Sequence, residues 1–157
     1  MFGMAIQQRM RVRFEDVFPE GVGMRGSVVA VEDFDLIQAA KAEGREPGDV
    51  QVRDKESGLR VWEVRVVDYD EDAPKNQGEV TVKIAADVQP VPPSKVEGQK
   101  LRPVEFDNLT VTAWIDDRGK RPKIGWSLRA DGMHAPGAKP NLSTPAKTQG
   151  PAEKGAA

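Results

Sequence analysis

Trp114 is the residue in this sequence best suited to stack on a flat ligand. It lies in the run TVTAWID, where Thr112 shares its phase in a pattern of alternating residues. The run KIGWSLRA follows after the basic stretch DRGKRP, and its alternation puts Lys123 and Arg129 on the same surface as Trp114. An exposed aromatic ring beside cations is typical of single-stranded nucleic-acid binding, because the ring stacks on bases and the cations attract phosphates. The alternative is that Trp114 packs beneath a proline-rich loop or a partner subunit.

Basic residues extend this predicted nucleic-acid site in two directions. Three arginines alternate with apolar residues in the N-terminal run RMRVRF, which predicts a strand whose outer row contacts phosphates. An edge strand that carries positive charge to discourage aggregation has the same pattern. The full candidate set comprises Trp114, Thr112, Lys123 and Arg129, the tip residues Arg118, Lys120 and Arg121, and the row Arg9, Arg11 and Arg13.

The two runs around DRGKRP predict a β-hairpin, because their apolar residues agree in phase. We therefore expect Trp126 to be buried in the core and Trp114 to lie on the opposite surface. The predicted inward residues are Leu109, Val111, Ala113 and Ile115 in the first strand and Ile124, Trp126, Leu128 and Ala130 in the second.

Catalytic and metal sites find little support in the sequence. The turn DYDEDAPKNQGE spaces its carboxylates like a calcium loop, but Ala73 stands where that loop needs glycine, and its flanks predict strands. His134 is the only histidine, there are no cysteines, and the carboxylates lie in predicted turns. We expect a protein that is not an enzyme and that holds no metal or cofactor.

The elements that position the site form one predicted domain, residues 1–133. Five or six strands and one short helix, LIQAAKAE, predict a mainly β fold: a small antiparallel barrel of the oligonucleotide-binding (OB) type, or a sandwich. In the helix, Asp35 is the predicted N-cap and Gln38 completes a capping box, and Gly44 ends the helix. Residues 134–157 are mostly Pro, Gly, Ala, Ser, Thr and Lys, which predicts a disordered tail.

Net charge and hydropathy limit the kinds of partner that the protein can have. The formal net charge is -2, so nucleic-acid binding would depend on local basic surfaces rather than on bulk charge. No apolar run is long enough to cross a bilayer, and the N-terminus lacks the pattern of a secretory signal. The sequence predicts a cytoplasmic protein that has no membrane partner.

Four stretches carry a resemblance to a known family: MAIQQRMRVRFEDVFPEG, VRDKESGLRVWEVRVVDYD, VTVKIAADVQPVPP, and LRPVEFDNLTVTAWID through IGWSLRADGM. Over nearly the whole chain up to Pro136, the sequence resembles the actinobacterial plasmid replication, integration and excision activator family. The resemblance implies a regulator, encoded by an integrative and conjugative element or related plasmid, that activates replication, excisionase and integrase genes. It identifies no catalytic or binding residue.

Two functions therefore remain open. In the first, the protein binds DNA, either single strands at a replication origin or a promoter duplex, and promotes replication, integration and excision of its element. In the second, it is an adaptor that contacts a replication or transcription protein through Trp114 and the basic tip without binding DNA. A homo-oligomer is compatible with both.

Overall fold

The computed structural model of the protein describes residues 9–73 and 78–138, and strands dominate them. The prediction of a mainly β fold is confirmed. The strands are β1 (Arg9–Arg11), β2 (Val22–Ala30), β3 (Val61–Asp68), β4 (Glu79–Ala85), β5 (Arg102–Asp107), β6 (Thr110–Asp116), β7 (Lys123–Ala130) and β8 (Gly132–His134), and the helices are α1 (Phe14–Val17) and α2 (Phe34–Ala42).

The strands form one curled sheet in the order β1-β6-β7-β4-β3-β2-β5-β8. β5 runs into β6 through Asn108 and Leu109, and β7 runs into β8 through Asp131. Because β5 pairs with β8 in the register that continues the β6–β7 ladder, these four strands form one long bent hairpin. This hairpin joins β2 on one side and β4 on the other.

The strand pairings curl the sheet into a half-barrel through β2, β3, β4, β7–β8 and β5. Every contact in it is antiparallel except that between β4 and β7, which is parallel. The OB fold is likewise a five-stranded, partly open barrel. The single sheet thus corresponds to the barrel that the sequence predicts rather than to a two-sheet sandwich.

The core lies inside this curl, where valines of neighbouring strands meet. Val64 and Val82 pair across β3 and β4, and Val82 pairs in turn with Leu128 of β7. α1 packs against the core through Phe14, whose ring centroid lies 5.4 Å from that of Phe18. The other buried core residues are Val22, Met24, Val28, Val66, Ile84, Val104, Phe106, Leu109, Ala130 and Met133.

The helices differ in detail from the prediction. The N-cap of α2 is Asp33 rather than Asp35, because the Asp33 carboxylate accepts hydrogen bonds from the backbone amides of Asp35 and Leu36, at 3.0 and 3.2 Å. A second helix, α1, begins at Phe14, the last residue of the run predicted as the first strand, because the chain turns at Arg13 and packs the partly buried Phe14 against the core. α2, at nine residues the longer helix described, is far too short to span a membrane.

The predicted boundary between domain and tail at residue 134 is corrected by β8. His134 pairs with Glu105 in the β5–β8 ladder, and its side chain is only 10% exposed. Met133 beside it belongs to the core. The β domain therefore includes His134, and most of the predicted tail, residues 139–157, lies outside the described residues.

Candidate nucleic-acid interface

The β6–β7 hairpin has the alternation of faces that the sequence predicts. Trp114 pairs with Gly125 and Thr112 pairs with Ser127, so these residues share the outer face of the barrel. On the opposite face, Leu128 is buried against the core. The phase assignment that separates a Trp114 face from a core face is therefore confirmed.

The Trp114 ring is held in a defined orientation over Gly125. A Cβ atom at residue 125 would lie 2.5 Å from Cε2 of the ring, so only glycine allows this approach. The Arg118 guanidinium carbon lies 5.4 Å from the ring centroid, a cation–π contact. With 40% of Trp114 exposed, the ring and the guanidinium form a stacked pair at the surface, which we call the Trp114–Arg118 stack.

Asp116 fixes the position of Arg118 in this stack. The Arg118 Nε and Nη2 atoms donate hydrogen bonds of 2.9 and 3.0 Å to the two Asp116 carboxylate oxygens. These bonds lower the pKa of Asp116 to about 2. Because the Arg118 side chain remains 77% exposed, its flat guanidinium offers a further surface on which a base can stack.

Cations surround the stack at the tip of the hairpin. Lys120, Arg121 and Lys123 are exposed, as the sequence predicts. Within residues 9–73 and 78–138, none of the three forms an ion pair. Their charges are therefore accessible to an anionic ligand.

Arg129 lies on the outer face, but it has an intramolecular partner. Its Nη1 atom is 2.7 Å from Oδ1 of Asp54, and the two side chains are 23% and 7% exposed. The Arg129 guanidinium holds the pKa of Asp54 well below its usual range, and Ser57 adds a hydroxyl hydrogen bond of 2.7 Å. The pair anchors the turn 54–58 to the sheet, so we no longer include Arg129 among the phosphate contacts.

The predicted arginine row is reduced to two residues. Arg9 and Arg11 pair with Thr112 and Thr110 and so share the outer face, with Arg9 lying 3.6 Å from Glu56. Arg13 instead precedes α1 and pairs with the neighbouring Glu15 at 3.3 Å. The turn into α1 therefore removes Arg13 from the candidate interface.

Two cations that the sequence did not single out join the outer face. Lys83 pairs with Arg129 across the β4–β7 contact, and Arg65 pairs with Thr81 across β3 and β4. Both cations are exposed, and the described residues provide neither with an ion pair. Alternation in VTVKIA and VWEVRVV indicates that they face outward, but the parallel β4–β7 contact that brings them beside the hairpin has no local signal.

The alternative packing of Trp114 beneath the proline-rich loop is not observed. Among the described residues, Gly125 and Arg118 lie against the Trp114 ring. Side-chain hydrogen bonds join Gln89 of the loop to Val28, and Pro93 of the loop to Arg102. This leaves the outer part of the Trp114–Arg118 stack open to a ligand.

The predicted burial of Trp126 is wrong, because the hairpin extends beyond the barrel. Trp126 is 54% exposed, and Ile115 and Ile124, on the same face, are 73% and 64% exposed. β7 pairs with β4 only from Leu128 onward, so within residues 9–73 and 78–138 no strand pairs with this edge of β7 at its first residues. The alternation of residues assigned Trp126 to the correct face of the hairpin. It did not indicate how far the neighbouring strand β4 extends along β7.

We expect Trp126→Ala to change the free energy of unfolding by less than about 1 kcal/mol, because an exposed ring loses little burial. Leu128→Ala, two residues along the same face, is expected to cost about 2 to 5 kcal/mol because Leu128 is buried. Urea unfolding of both variants measures the difference. Similar large losses in both would mean that Trp126 is packed in solution.

A second group of charged residues lies on β5 and β8, apart from the hairpin. His134 Nδ1 is 2.6 Å from Asp107 Oδ1, and its Nε2 is 3.2 Å from Glu105 Oε1. They line a cleft of about 510 Å³ whose described lining contains no Ser, Thr, Tyr or Lys to act as a nucleophile. Among residues 9–73 and 78–138, no group of three or more His, Asp or Glu residues is arranged to hold a metal ion.

Comparisons of the chain with protein-family models, with curated proteins and with solved structures gave no match. The resemblance to the replication, integration and excision activator family accordingly stays a prediction. The barrel and the geometry of its outer face are the basis for assigning a function.

Proposed function

We propose that this protein is a non-enzymatic DNA-binding accessory protein that acts in the cytoplasm on single strands of a plasmid or integrative element. It promotes replication, integration and excision, the role that the family resemblance implies. The observation that carries the proposal is the exposed Trp114–Arg118 stack beside the unpaired tip cations of an OB-like barrel.

The proposed path of the strand runs from the hairpin tip across β7 towards β4 and β3. A base stacks on the Trp114–Arg118 stack, while Lys123 and its tip neighbours contact phosphates. Gly125 and Arg129 are separated by about 13 Å along β7, and Lys83 lies beside Arg129. Lys83 and Arg65 therefore contact the phosphates of nucleotides further along the strand.

Charge distribution supports this path in a protein whose formal net charge is -2. Five cations on the path make no ion pair within the described residues: Lys120, Arg121, Lys123, Lys83 and Arg65. The turn 54–58 beside them is acidic, but its Asp54 and Glu56 are paired with Arg129 and Arg9. A local basic surface of this kind binds phosphates despite the opposite net charge, because screening limits the reach of distant charges.

Single strands fit the stack better than a duplex does. Unpaired bases expose both faces for stacking, whereas the bases of a duplex are already stacked on each other. The nine-residue α2 carries an acidic N-cap and first turn, which would face phosphates unfavourably in a major groove. Duplex binding at a promoter is therefore the less favoured form of the proposal.

Fluorescence anisotropy with labelled oligonucleotides tests the proposal. We expect a single strand of about 16 nucleotides to bind more tightly than the matching duplex, with an affinity that falls as salt rises. Preference for the duplex would contradict the single-strand assignment. Absence of affinity for any DNA at low salt would favour the adaptor alternative, in which Trp114 and the basic tip contact a replication or transcription protein.

A further inference from the structure

An exposed apolar patch covers the face of the hairpin opposite Trp114. Ile115 and Ile124 pair directly across the two strands, and Trp126 follows two residues along β7. All three are more than half exposed. We call these residues the hairpin patch. Contiguous apolar surface of this kind on a folded domain marks a site of interaction.

The strand edge beside the hairpin patch is also unpaired in the described structure. From Lys123 to Trp126, β7 pairs with β6 on one side only, because its contact with β4 begins at Leu128. A free edge accepts an additional strand through main-chain hydrogen bonds, and alternate side chains of that strand then contact one face. A strand added here would lay its alternate side chains over Ile124 and Trp126.

The size of the hairpin patch favours a short segment over a folded partner. Three side chains of this kind, each more than half exposed, offer on the order of 400 Å². A stable interface between two folded proteins buries about 800 Å² on each partner. Unless other surfaces join it, the patch is too small to hold a second copy of this chain, but it matches a peptide that gains further affinity from main-chain pairing.

Charge indicates the chemistry of that peptide. Lys120, Arg121 and Lys123 lie at the tip next to the hairpin patch, and the described residues leave them without ion pairs. Two segments of the given sequence do not complement them: residues 1–8 contain no acidic residue, and residues 139–157 contain three lysines and one glutamate. An acidic segment of another protein is complementary to this surface.

We propose that the free edge of β7 and the hairpin patch bind an acidic, extended peptide segment of a partner protein. Apolar residues at alternate positions of the peptide contact Ile124 and Trp126, and its acidic residues pair with the tip cations. The apolar contacts of this interaction lie on the face opposite Trp114, whereas the tip cations serve both this interaction and the proposed DNA binding.

The probe for this proposal is a short fluorescein-labelled peptide that alternates Glu with Val and Phe. We expect it to bind saturably, and Ile124→Glu to weaken binding by about tenfold or more through lost apolar contact and added negative charge. Trp126→Ala, a milder change, should weaken binding as well. Val91→Glu is the matched control, because Val91 is 79% exposed in a distant loop, and it should leave binding unchanged.

Several results would overturn the proposal. One is equal binding of a control peptide in which Lys replaces every Glu, and another is unchanged affinity in both Ile124→Glu and Trp126→Ala. Self-association of the protein that Ile124→Glu abolishes would assign the hairpin patch to a second copy. Loss of oligonucleotide affinity in Trp126→Ala, which changes no charge, would assign it to DNA. Trp114→Ala separates the two proposals, because it should weaken DNA binding and leave peptide binding intact.

Discussion

Asp54→Asn is expected to lower the free energy of unfolding at pH 7 by about 2 kcal/mol. The Asp54 carboxylate is nearly buried, 2.7 Å from the Arg129 guanidinium, so its neutralisation leaves a cation without its partner in a poorly solvated place. The same carboxylate also holds Ser57 and thereby the turn 54–58. Urea unfolding of the variant and the wild-type protein measures this loss.

The loss should depend on pH in a defined direction. The ion pair lowers the pKa of Asp54 in the folded state, whereas in the unfolded chain the pKa is about 3.9. A carboxylate with a depressed folded pKa stabilises the protein fully above the unfolded value, and this contribution is lost as the pH falls towards the folded value. The difference in stability between wild type and Asp54→Asn should therefore be constant above about pH 5 and shrink below about pH 4.

Asp49→Asn is the matched control for this experiment. The Asp49 carboxylate pairs with Arg60 at 2.7 Å, but half of its side chain is exposed, so solvent screens the interaction. We expect a much smaller loss of stability than for Asp54→Asn. Equal losses in the two variants, or a difference from wild type that stays constant down to pH 2, would contradict the structural role assigned to the Asp54–Arg129 pair.

The sequence predicts the class of fold and the phase of the β6–β7 hairpin, because alternation of apolar residues is a local property. It does not reveal that Asp54 neutralises Arg129, since that contact joins a turn to a strand far along the chain. The place of Lys83 in the interface likewise depends on the parallel β4–β7 contact. Pairings between distant segments are the information that local patterns lack.

Trp126 and Arg13 are residues for which the local pattern gave a wrong prediction. Both follow the alternation of a strand, yet Trp126 extends past the end of the β4 contact and Arg13 lies where the chain turns into α1. Alternation assigns a residue to a face only where a strand continues and has a neighbour. The local pattern does not indicate where the neighbouring strands end.

Trp114→Ala is expected to weaken single-strand binding by about 1 to 3 kcal/mol, roughly 5- to 150-fold, through loss of one stacked base. The dependence of affinity on salt should change little, because no phosphate contact is removed. Lys83→Ala should instead reduce the slope of log affinity against log salt by about 0.7, the value for one phosphate contact on a single strand. Arg13→Ala, which removes an exposed cation outside the interface, is the matched control and should alter neither quantity.

The most direct measurement is an anisotropy titration of a labelled single strand with the wild-type protein and Trp114→Ala over a series of salt concentrations. Thermal unfolding of the variant confirms beforehand that the hairpin and barrel are intact. The proposed function predicts a large loss of affinity with a parallel salt dependence in Trp114→Ala. Equal affinity of the two proteins at every salt concentration would contradict it and remove the Trp114–Arg118 stack from any DNA-binding site.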